Sequence, residues 1–189
     1  MILKGKLVAL RPITIKDAEI TFRWRQEERA IFLQRGAQTV KEQRTWILSR
    51  DKASELNFII ECQRVTVGMI ALLDIDQRNK KAVLGRLLIG EKEKVGRKPV
   101  FFETELLLFD YAFDQLRLHK IQGEVMEDNI TMIRSRLYLG YRQDGILRDH
   151  YIFEGVYKNA ILFSLLEKDY RDICRPKLVK FIGVFSKFA

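Results

Sequence analysis

The stretch that most constrains the fold runs from Ala82 to Phe113 and predicts a strand, a basic loop and a helix. Residues 82–90 form a nearly unbroken apolar run, which is typical of a strand buried on both faces. Apolar residues then recur at helical spacing from Phe101, and Pro99 suits the first turn of a helix. A glycine-containing basic loop before a helix brings unpaired amides and the positive end of the helix dipole together. The sequence therefore predicts an anion site, with phosphate as the expected anion.

The size and composition favour one compact domain. The chain has 189 residues, of which 47% are apolar and 31% are charged, as is usual for globular proteins. We find no signal-peptide pattern and no apolar run near the roughly 20 residues that span a bilayer. We therefore expect a cytoplasmic protein with no membrane partner. Cys62 and Cys174 are far apart and lack metal-type spacing, so we expect neither a disulfide framework nor a metal site.

The formal net charge of +9 leaves three interpretations open. The excess charge could belong to a solvated surface, or it could attract an anionic small ligand such as coenzyme A or a nucleotide sugar. Nucleic acid ranks third, because the basic residues are spread over the chain and no recognition-helix, aromatic-platform or zinc-finger pattern accompanies them.

The rest of the chain predicts an α+β fold in which strands and helices alternate around a mostly antiparallel sheet. Thr14 and the Thr39–Glu42 capping-box pattern open two helices, and Arg35-Gly36 separates them. Further strands are predicted at residues 7–12, 56–62, 66–74, 120–126, 141–152 and 157–166, and helices at 15–28, 39–50 and 129–139. The basic and apolar segment 171–189 predicts a C-terminal helix. That helix packs either on this domain or on a second subunit, which would make a homodimer.

Several short motifs together carry a family resemblance that covers most of the chain, from Leu7 to Tyr170. They are residues 5–12, Trp24-Arg25, 85–90, 110–113, Leu118-His119-Lys120-Ile121, Asn129 with 139–141, and 144–148. In order and spacing they resemble the GNAT superfamily of acyl-CoA-dependent N-acyltransferases. The pattern is most similar to ribosomal-protein N-terminal acetyltransferases and to bacterial enzymes that acetylate nucleotide-linked amino sugars. The resemblance implies a single GNAT-like domain over residues 1–170, with a layered sheet splayed at its middle strands where the pantetheine of acetyl-CoA inserts.

The resemblance also assigns donor-binding roles to particular positions. The loop before the helix would hold the diphosphate of coenzyme A through backbone amides, and the central strand would offer backbone groups to the pantetheine. Asn129 would donate a hydrogen bond to the cofactor arm or cap the helix that follows it. Arg136 and Lys98 would pair with phosphates of the cofactor or be exposed to solvent. The donor-binding residues so implied are Leu87, Leu88, Ile89, Val95, Gly96, Arg97, Lys98, Val100, Phe101, Phe102, Asn129 and Arg136.

The chain departs from the family pattern at positions that bear on catalysis. Pro99 and Phe101 stand where the family pattern has two small residues. Val83 takes the place of a glutamate, the usual base. Arg136 takes the place of the tyrosine that usually protonates the leaving thiolate. The substitutes that we consider are Tyr138 as the acid, and Asp74, Asp76 or His150 as bases that act through water. Tyr138 lies two residues beyond Arg136, a rotation of about 200° along a helix, so it points away from the position of Arg136. His150 also has a structural interpretation.

Two function classes follow. The first is an N-acetyltransferase that uses acetyl-CoA as the acyl donor and acts on a primary amine by direct attack. The amine would belong to a small molecule, such as a nucleotide-linked amino sugar, or to a protein N-terminus. The second is a GNAT-like fold without turnover that serves as a ligand-binding or interaction module, as the lost glycine, acid and base positions suggest.

Overall fold

The computed structural model describes residues 1–33, 36–51 and 53–185. Eight strands form one mixed sheet in the order β1-β2-β3-β4-β5-β6-β8-β7. They are β1 (Leu3–Lys4), β2 (Val8–Pro12), β3 (Leu56–Cys62), β4 (Val65–Asp76), β5 (Lys81–Ile89), β6 (Lys120–Met126), β7 (Arg142–Phe153) and β8 (Val156–Leu166). Within these residues β5 and β6 are the one parallel pair, so the predicted α+β fold with a mostly antiparallel sheet is confirmed.

The helices cover both faces of this sheet. They are α1 (Ala18–Gln26), α2 (Val40–Leu48), α3 (Lys92–Val95), α4 (Val100–Asp110), α5 (Ile130–Tyr138), α6 (Glu167–Asp169) and α7 (Arg175–Phe185). Short 3-10 turns at Ile15–Asp17 and Glu28–Ala30 flank α1, and π-helical turns follow α4 at Tyr111–Gln115 and α6 at Tyr170–Cys174. The helix predicted at 15–28 is thus an α-helix between two 3-10 turns. The predicted break at Arg35-Gly36 includes Arg35, which lies outside the described residues.

Neighbouring residues of the central strands enter different cores, because side chains alternate between the two faces of a strand. Ile60 and Ile70 belong to the larger core under α4 and α7. Ile59 and Met69, one position away, belong to a smaller core under α1. At the centre of that second core Trp24 is fully buried. Its indole Nε1 donates a hydrogen bond of 3.0 Å to Glu91 Oε1.

The central strand is less buried than its apolar sequence predicts. Along β5 only Ala82 and Leu88 are buried, and most of the other side chains are half-buried. The reason is tertiary: β5 pairs with β6 over three residues, Lys81 to Val83, and the two strands then part. The expectation of a strand buried on both faces was therefore wrong for its second half, which borders an open cleft.

The C-terminal helix α7 packs against α4. Leu178 is fully buried, and the rings of Phe181 and Phe102 stack with their centroids 4.5 Å apart. The predicted segment 171–189 extends to residues 186–189, which lie outside the described residues. No helix in the described part of the chain is long and apolar enough to cross a membrane. A domain boundary near residue 170 stays a prediction.

Candidate active site

A cleft of about 300 Å³ opens where β5 and β6 part. The two strands line it with Leu84–Leu87 of β5 and Gly123–Met126 of β6. At the apex the backbones are very close, since a Cβ at Gly123 would lie 3.3 Å from the carbonyl oxygen of Leu84. Glycine therefore suits the point from which the strands diverge, because a larger side chain there would enter the space between them.

A β-bulge shapes the β5 wall of this cleft. Ala71 pairs with Gly85 and Met69 with Leu88, so two residues of β5, Arg86 and Leu87, face one residue of β4. Arg86 has a φ of +55°, which is uncommon for a residue other than glycine. A bulge leaves backbone groups of the strand without ladder partners. The bulge therefore supplies free backbone donors and acceptors beside the cleft.

The side chain of Arg86, which lines the cleft, is held by three contacts. Its Nη1 donates 2.7 Å hydrogen bonds to Glu55 Oε2 and Asn57 Oδ1. Its guanidinium carbon lies 4.8 Å from the ring centroid of Trp46 in α2. These contacts offset the backbone strain at Arg86, so α2 and β3 help to fix the bulge.

The loop predicted to bind an anion has the expected local geometry. Gly96 ends α3 with φ +58° and ψ −128°, a conformation that strongly favours glycine. Val100 N donates to Lys98 O at 2.8 Å, and Glu103 N to Pro99 O at 3.0 Å. Among the residues that the structure describes, no hydrogen bond forms from the amides of Phe101 or Phe102. These two amides face outward from the first turn of α4, as an anion site needs.

The bulky side chains of this turn do not fill the cleft. Neither Phe101 nor Phe102 lines it. Phe102 stacks on Phe181, and the Phe101 ring meets Phe102 edge-on with centroids 5.4 Å apart. Pro99 is buried and precedes the first residue of α4, where a missing amide hydrogen costs little. The departures at these positions are therefore compatible with a phosphate at the helix N-terminus.

Helix α5 presents one stripe of side chains to the cleft, formed by Asn129, Met132 and Arg136. Asn129 precedes the helix, and its Oδ1 accepts a hydrogen bond of 3.2 Å from Met132 N. The predicted helix cap is thus present. The side-chain amide nitrogen of Asn129 is not used in this bond, so the cap leaves a donor for the cofactor arm.

Arg136 lies in a buried ion pair instead of at the surface. Its side chain is 6% exposed and pairs through Nη1 with the fully buried Glu105 of α4. Nη1 also lies 3.3 Å from the hydroxyl oxygen of Tyr141. Burial raises the pKa of the Glu105 carboxyl, and the charge of Arg136 opposes this rise. Burial also raises the pKa of Tyr141 well above its usual value, so its hydroxyl stays neutral.

A second polar cluster lies on the outer wall, where Glu124 of β6 meets two residues of β7. The hydroxyl of Tyr151 donates to Glu124 Oε1 at 2.6 Å, and His150 Nε2 lies 3.3 Å from Glu124 Oε2. Glu124 and Tyr151 both line the cleft. Burial, reinforced by the bond to Glu124, raises the pKa of the Tyr151 hydroxyl above its usual range. The cluster therefore holds a carboxylate at the cleft, with one oxygen hydrogen-bonded to Tyr151 and the other beside His150.

Two of the predicted catalytic residues lie elsewhere. Tyr138 is 53% exposed and packs against Phe181 and Lys177 of α7. Asp74 is exposed in β4 and follows Leu73, which pairs with Val83. It therefore lies near the part of β5 that is still paired with β6. Neither lines the cleft, so the structure brings only His150 of the three catalytic candidates near it. Their catalytic roles stay predictions.

The sequence reasoning missed Glu124 and Tyr151. One signal was available for Glu124, because it is the only acidic residue in the strand Lys120–Met126. Tyr151 carried no local signal. β7 has an irregular register between Leu147 and Tyr151, with Asp149 at φ +51°. This irregularity lets the neighbouring side chains of His150 and Tyr151 reach the same carboxylate.

Comparison with known proteins supports the same interpretation. The model of the acetyltransferase (GNAT) domain family matches residues 8–142, which is most of the chain. The chain belongs to the GNAT acetyltransferases. The predicted superfamily and the predicted N-acetyltransferase activity are thereby confirmed, whereas the two branches named from the sequence stay predictions.

Relatives of this GNAT chain include a probable N-acetyltransferase of Bacillus subtilis, YjcK. It is 28% identical over 180 residues, which cover 88% of this chain and 98% of that protein. The spermidine N(1)-acetyltransferase of Escherichia coli is 26% identical over 62% of this chain and 61% of its own length. A GCN5-related N-acetyltransferase structure from Brucella melitensis superposes with a TM-score of 0.80. It covers 96% of this chain and 85% of the Brucella chain, and at 23% identity it shows the fold alone.

Proposed function

We propose that the protein transfers an acetyl group from acetyl-CoA to a primary amine. The amine belongs to a small molecule, such as a nucleotide-linked amino sugar, or to a protein N-terminus. The observation that carries this proposal is the parting of β5 and β6 after Val83, with the β5 bulge on one wall of the cleft. Helix α4 adjoins this cleft through Glu105, whose partner Arg136 lines it. In this proposal the cleft takes the extended arm of the donor, and the first turn of α4 binds its diphosphate.

The residues around the cleft suit the parts of coenzyme A. The loop from Val95 to Phe102 offers amides, Arg97 and Lys98 to the diphosphate. Leu87, Leu88 and Ile89 follow or form the bulge and offer backbone groups to the pantetheine amides, while Asn129 offers its side-chain amide. Once bound, the thioester supplies the activated acyl group. Because the bulge and the helix N-terminus act through the backbone, this binding tolerates unusual side chains.

Glu124 is the group best placed to handle the amine proton. A carboxylate in a cleft attracts an ammonium group and accepts a proton from it as the amine reacts. Tyr151 holds the carboxylate through its hydrogen bond, and His150 lies beside the second carboxylate oxygen. General base catalysis of this kind contributes about 10²–10⁴-fold in rate. Positioning of the two reactants adds more, because effective molarities on the order of 10⁵ M are reached by well-oriented groups.

The charges at the cleft suit an acceptor that brings a cationic amine to Glu124. Arg29 lies 2.8 Å from Glu27, Arg86 lies 2.7 Å from Glu55, and Arg136 pairs with Glu105. Among the described residues, each arginine that lines the cleft thus has an acidic partner, and Glu124 is the carboxylate that faces an incoming amine. The spermidine enzymes among the relatives support a polyamine as a further member of the acceptor panel.

Acetyl-CoA binding tests the proposal directly. We expect saturable micromolar binding by calorimetry to the native protein. In Gly123→Val the new side chain enters the apex of the cleft, and we expect binding to weaken by about 100-fold, or about 2.7 kcal/mol. Gly145→Val is the matched control, because Gly145 lies in a strand where a Cβ meets nothing within 4 Å. Equal binding by both variants would show that the donor does not use this cleft.

Thiol release then tests turnover. Acetyl-CoA is offered with polyamines, nucleotide-linked amino sugars and peptides with free N-termini, and we expect release with one of these classes. If the native protein does not bind acetyl-CoA at millimolar concentration, the proposal fails. If it binds but releases no thiol with any amine, the alternative of a ligand-binding module without turnover is favoured.

A further inference from the structure

The guanidinium of Arg136 has a free edge at the cleft. Arg136 is 5% exposed and lines the cleft wall. Its Nη1 contacts Glu105 and Tyr141, whereas Nε and Nη2 form no hydrogen bond to any residue that the structure describes. A guanidinium has five N–H donors. In the described part of the chain neither nitrogen is among the buried atoms without a partner, so both reach the open space of the cleft. These donors are therefore available to a group bound there.

The charge at this position is fixed. Arginine keeps its proton in proteins, so Arg136 supplies hydrogen bonds and positive charge but no proton. Glu105 lies behind it, and the Oε2 atom of Glu105 has no partner among the described residues. The pair is neutral overall, with its positive end toward the cleft. Such a preorganised dipole suits a negative charge that appears only during a reaction, better than a permanently charged diphosphate.

The proposed reaction creates one such charge. The amine nitrogen attacks the carbonyl carbon of the thioester, and a C–N bond forms while the C–S bond breaks. The sulfur leaves with the electron pair as a thiolate, and the amine proton passes to Glu124 or to water. Resting on the proposed function, we infer that Arg136 stabilises the departing coenzyme thiolate by charge and hydrogen bonding, without protonating it. The thiolate takes up a proton from solvent on release.

The bound coenzyme thiol reports this role without turnover. The native protein is saturated with coenzyme A and titrated with alkali, and the ultraviolet absorbance of the thiolate is followed. The same titration without coenzyme is subtracted, because Glu105, Tyr141 and Cys174 also face Arg136. The double variant Glu105→Gln with Arg136→Gln removes both charges together, so that no buried charge is left unpaired. Arg136→Lys keeps the positive charge.

In the native protein we expect the pKa of the bound thiol to lie at least about one unit below that in the double variant, a tenfold change in the ionisation equilibrium. Arg136→Lys should retain most of this difference, and kcat of the double variant should fall by about tenfold. Acetyl-CoA and desulfo-coenzyme A should bind both proteins equally, since neither offers a thiolate.

Two results would overturn the inference. One is an equal thiol pKa in the native protein and the double variant while both bind coenzyme A. The other is a loss of affinity that is as large for desulfo-coenzyme A as for coenzyme A, which would assign Arg136 to the phosphates instead. In either case acetyl-CoA binding and thiol release by the native protein would leave the proposed function standing. If the native protein binds no coenzyme, both proposals fall together.

Discussion

The two sides of the cleft differ in the groups that they offer to a ligand. The inner side, which we assign to the donor, consists of the β5 bulge, the first turn of α4 and the buried pair Arg136–Glu105. The outer side, which we assign to the acceptor, consists of side chains: Glu124, about one third exposed, its partners in β7, and Phe32 after α1. Backbone geometry survives changes of side chain, whereas a surface made of exposed side chains changes its specificity with each substitution.

This difference explains how the chain departs from its family pattern and still has a coherent site. Pro99 and Phe101 alter side chains on the inner side but leave the amides of the first turn of α4 accessible. The departure at Arg136 alters a buried group and is matched by Glu105 behind it. Changes of side chain on the outer side need no compensating partner, because those side chains determine which acceptor binds.

The sharpest way to separate the two sides is the substitution Glu124→Gln. It keeps the shape of the outer wall and removes the proton acceptor, so we expect kcat to fall by about 10²–10⁴-fold. Acetyl-CoA affinity should be unchanged, because the inner side is intact. Steady-state kinetics and calorimetry measure the two quantities. Glu154→Gln, in the exposed turn between β7 and β8, is the control and should leave both unchanged. A donor affinity that falls together with kcat would contradict the division.

Local sequence patterns were sufficient for several strands and for the turn before α4. The strands Leu56–Cys62 and Lys120–Met126 begin and end where the sequence predicts, because apolar runs bounded by turn residues define them. The turn before α4 was also predicted, since a glycine, basic residues and a helix start are adjacent in sequence, while its role as an anion site stays a prediction. The partial exposure of β5 was not predicted. It depends on where β6 stops pairing with it, which is a property of the whole sheet.

Most of the outer side could not be predicted from the sequence. Glu124 and Tyr151 are 27 residues apart and meet only because β6, β8 and β7 are neighbours and β7 is irregular before Tyr151. Among the catalytic candidates chosen from the sequence, His150 was placed near the cleft, whereas Tyr138 and Asp74 were not. A role in chemistry that depends on non-local pairing cannot be read from residue spacing alone.

A smaller effect is expected from the aromatic pair at the mouth of the outer side. Phe32 lines the cleft and stacks on Phe153 with centroids 6.1 Å apart. Aromatic pairs contribute about 0.5–1.5 kcal/mol beyond burial, so Phe153→Ala should raise KM for the acceptor by about 2–10-fold. KM for acetyl-CoA should not change. Ile152→Ala is the control, because this neighbour is 69% exposed and lies outside the cleft lining. Equal effects of both substitutions would remove the pair from acceptor binding.

The smallest expected effect concerns alkaline stability and tests how well the outer side excludes water. Burial and the bond to Glu124 raise the pKa of Tyr151, whereas an unfolded tyrosine ionises near pH 10. Above about pH 10 the folded protein therefore holds a proton that the unfolded chain releases, and the free energy of unfolding falls as pH rises. Tyr151→Phe removes this contribution.

The size of that contribution follows from the exposure of the phenol. One pKa unit corresponds to about 1.4 kcal/mol, and because Tyr151 is only half-buried we expect about 0.5–1 kcal/mol at pH 11 after solvent screening. Urea unfolding at pH 8 and pH 11 gives the decrease in the free energy of unfolding between the two pH values. This decrease should be smaller in Tyr151→Phe than in the native protein by about 0.5–1 kcal/mol. Tyr157→Phe, at a position 63% exposed, should lose as much as the native protein. If Tyr151→Phe did so too, the Tyr151–Glu124 contact would be open to water, and Tyr151 would not hold the Glu124 carboxylate in place.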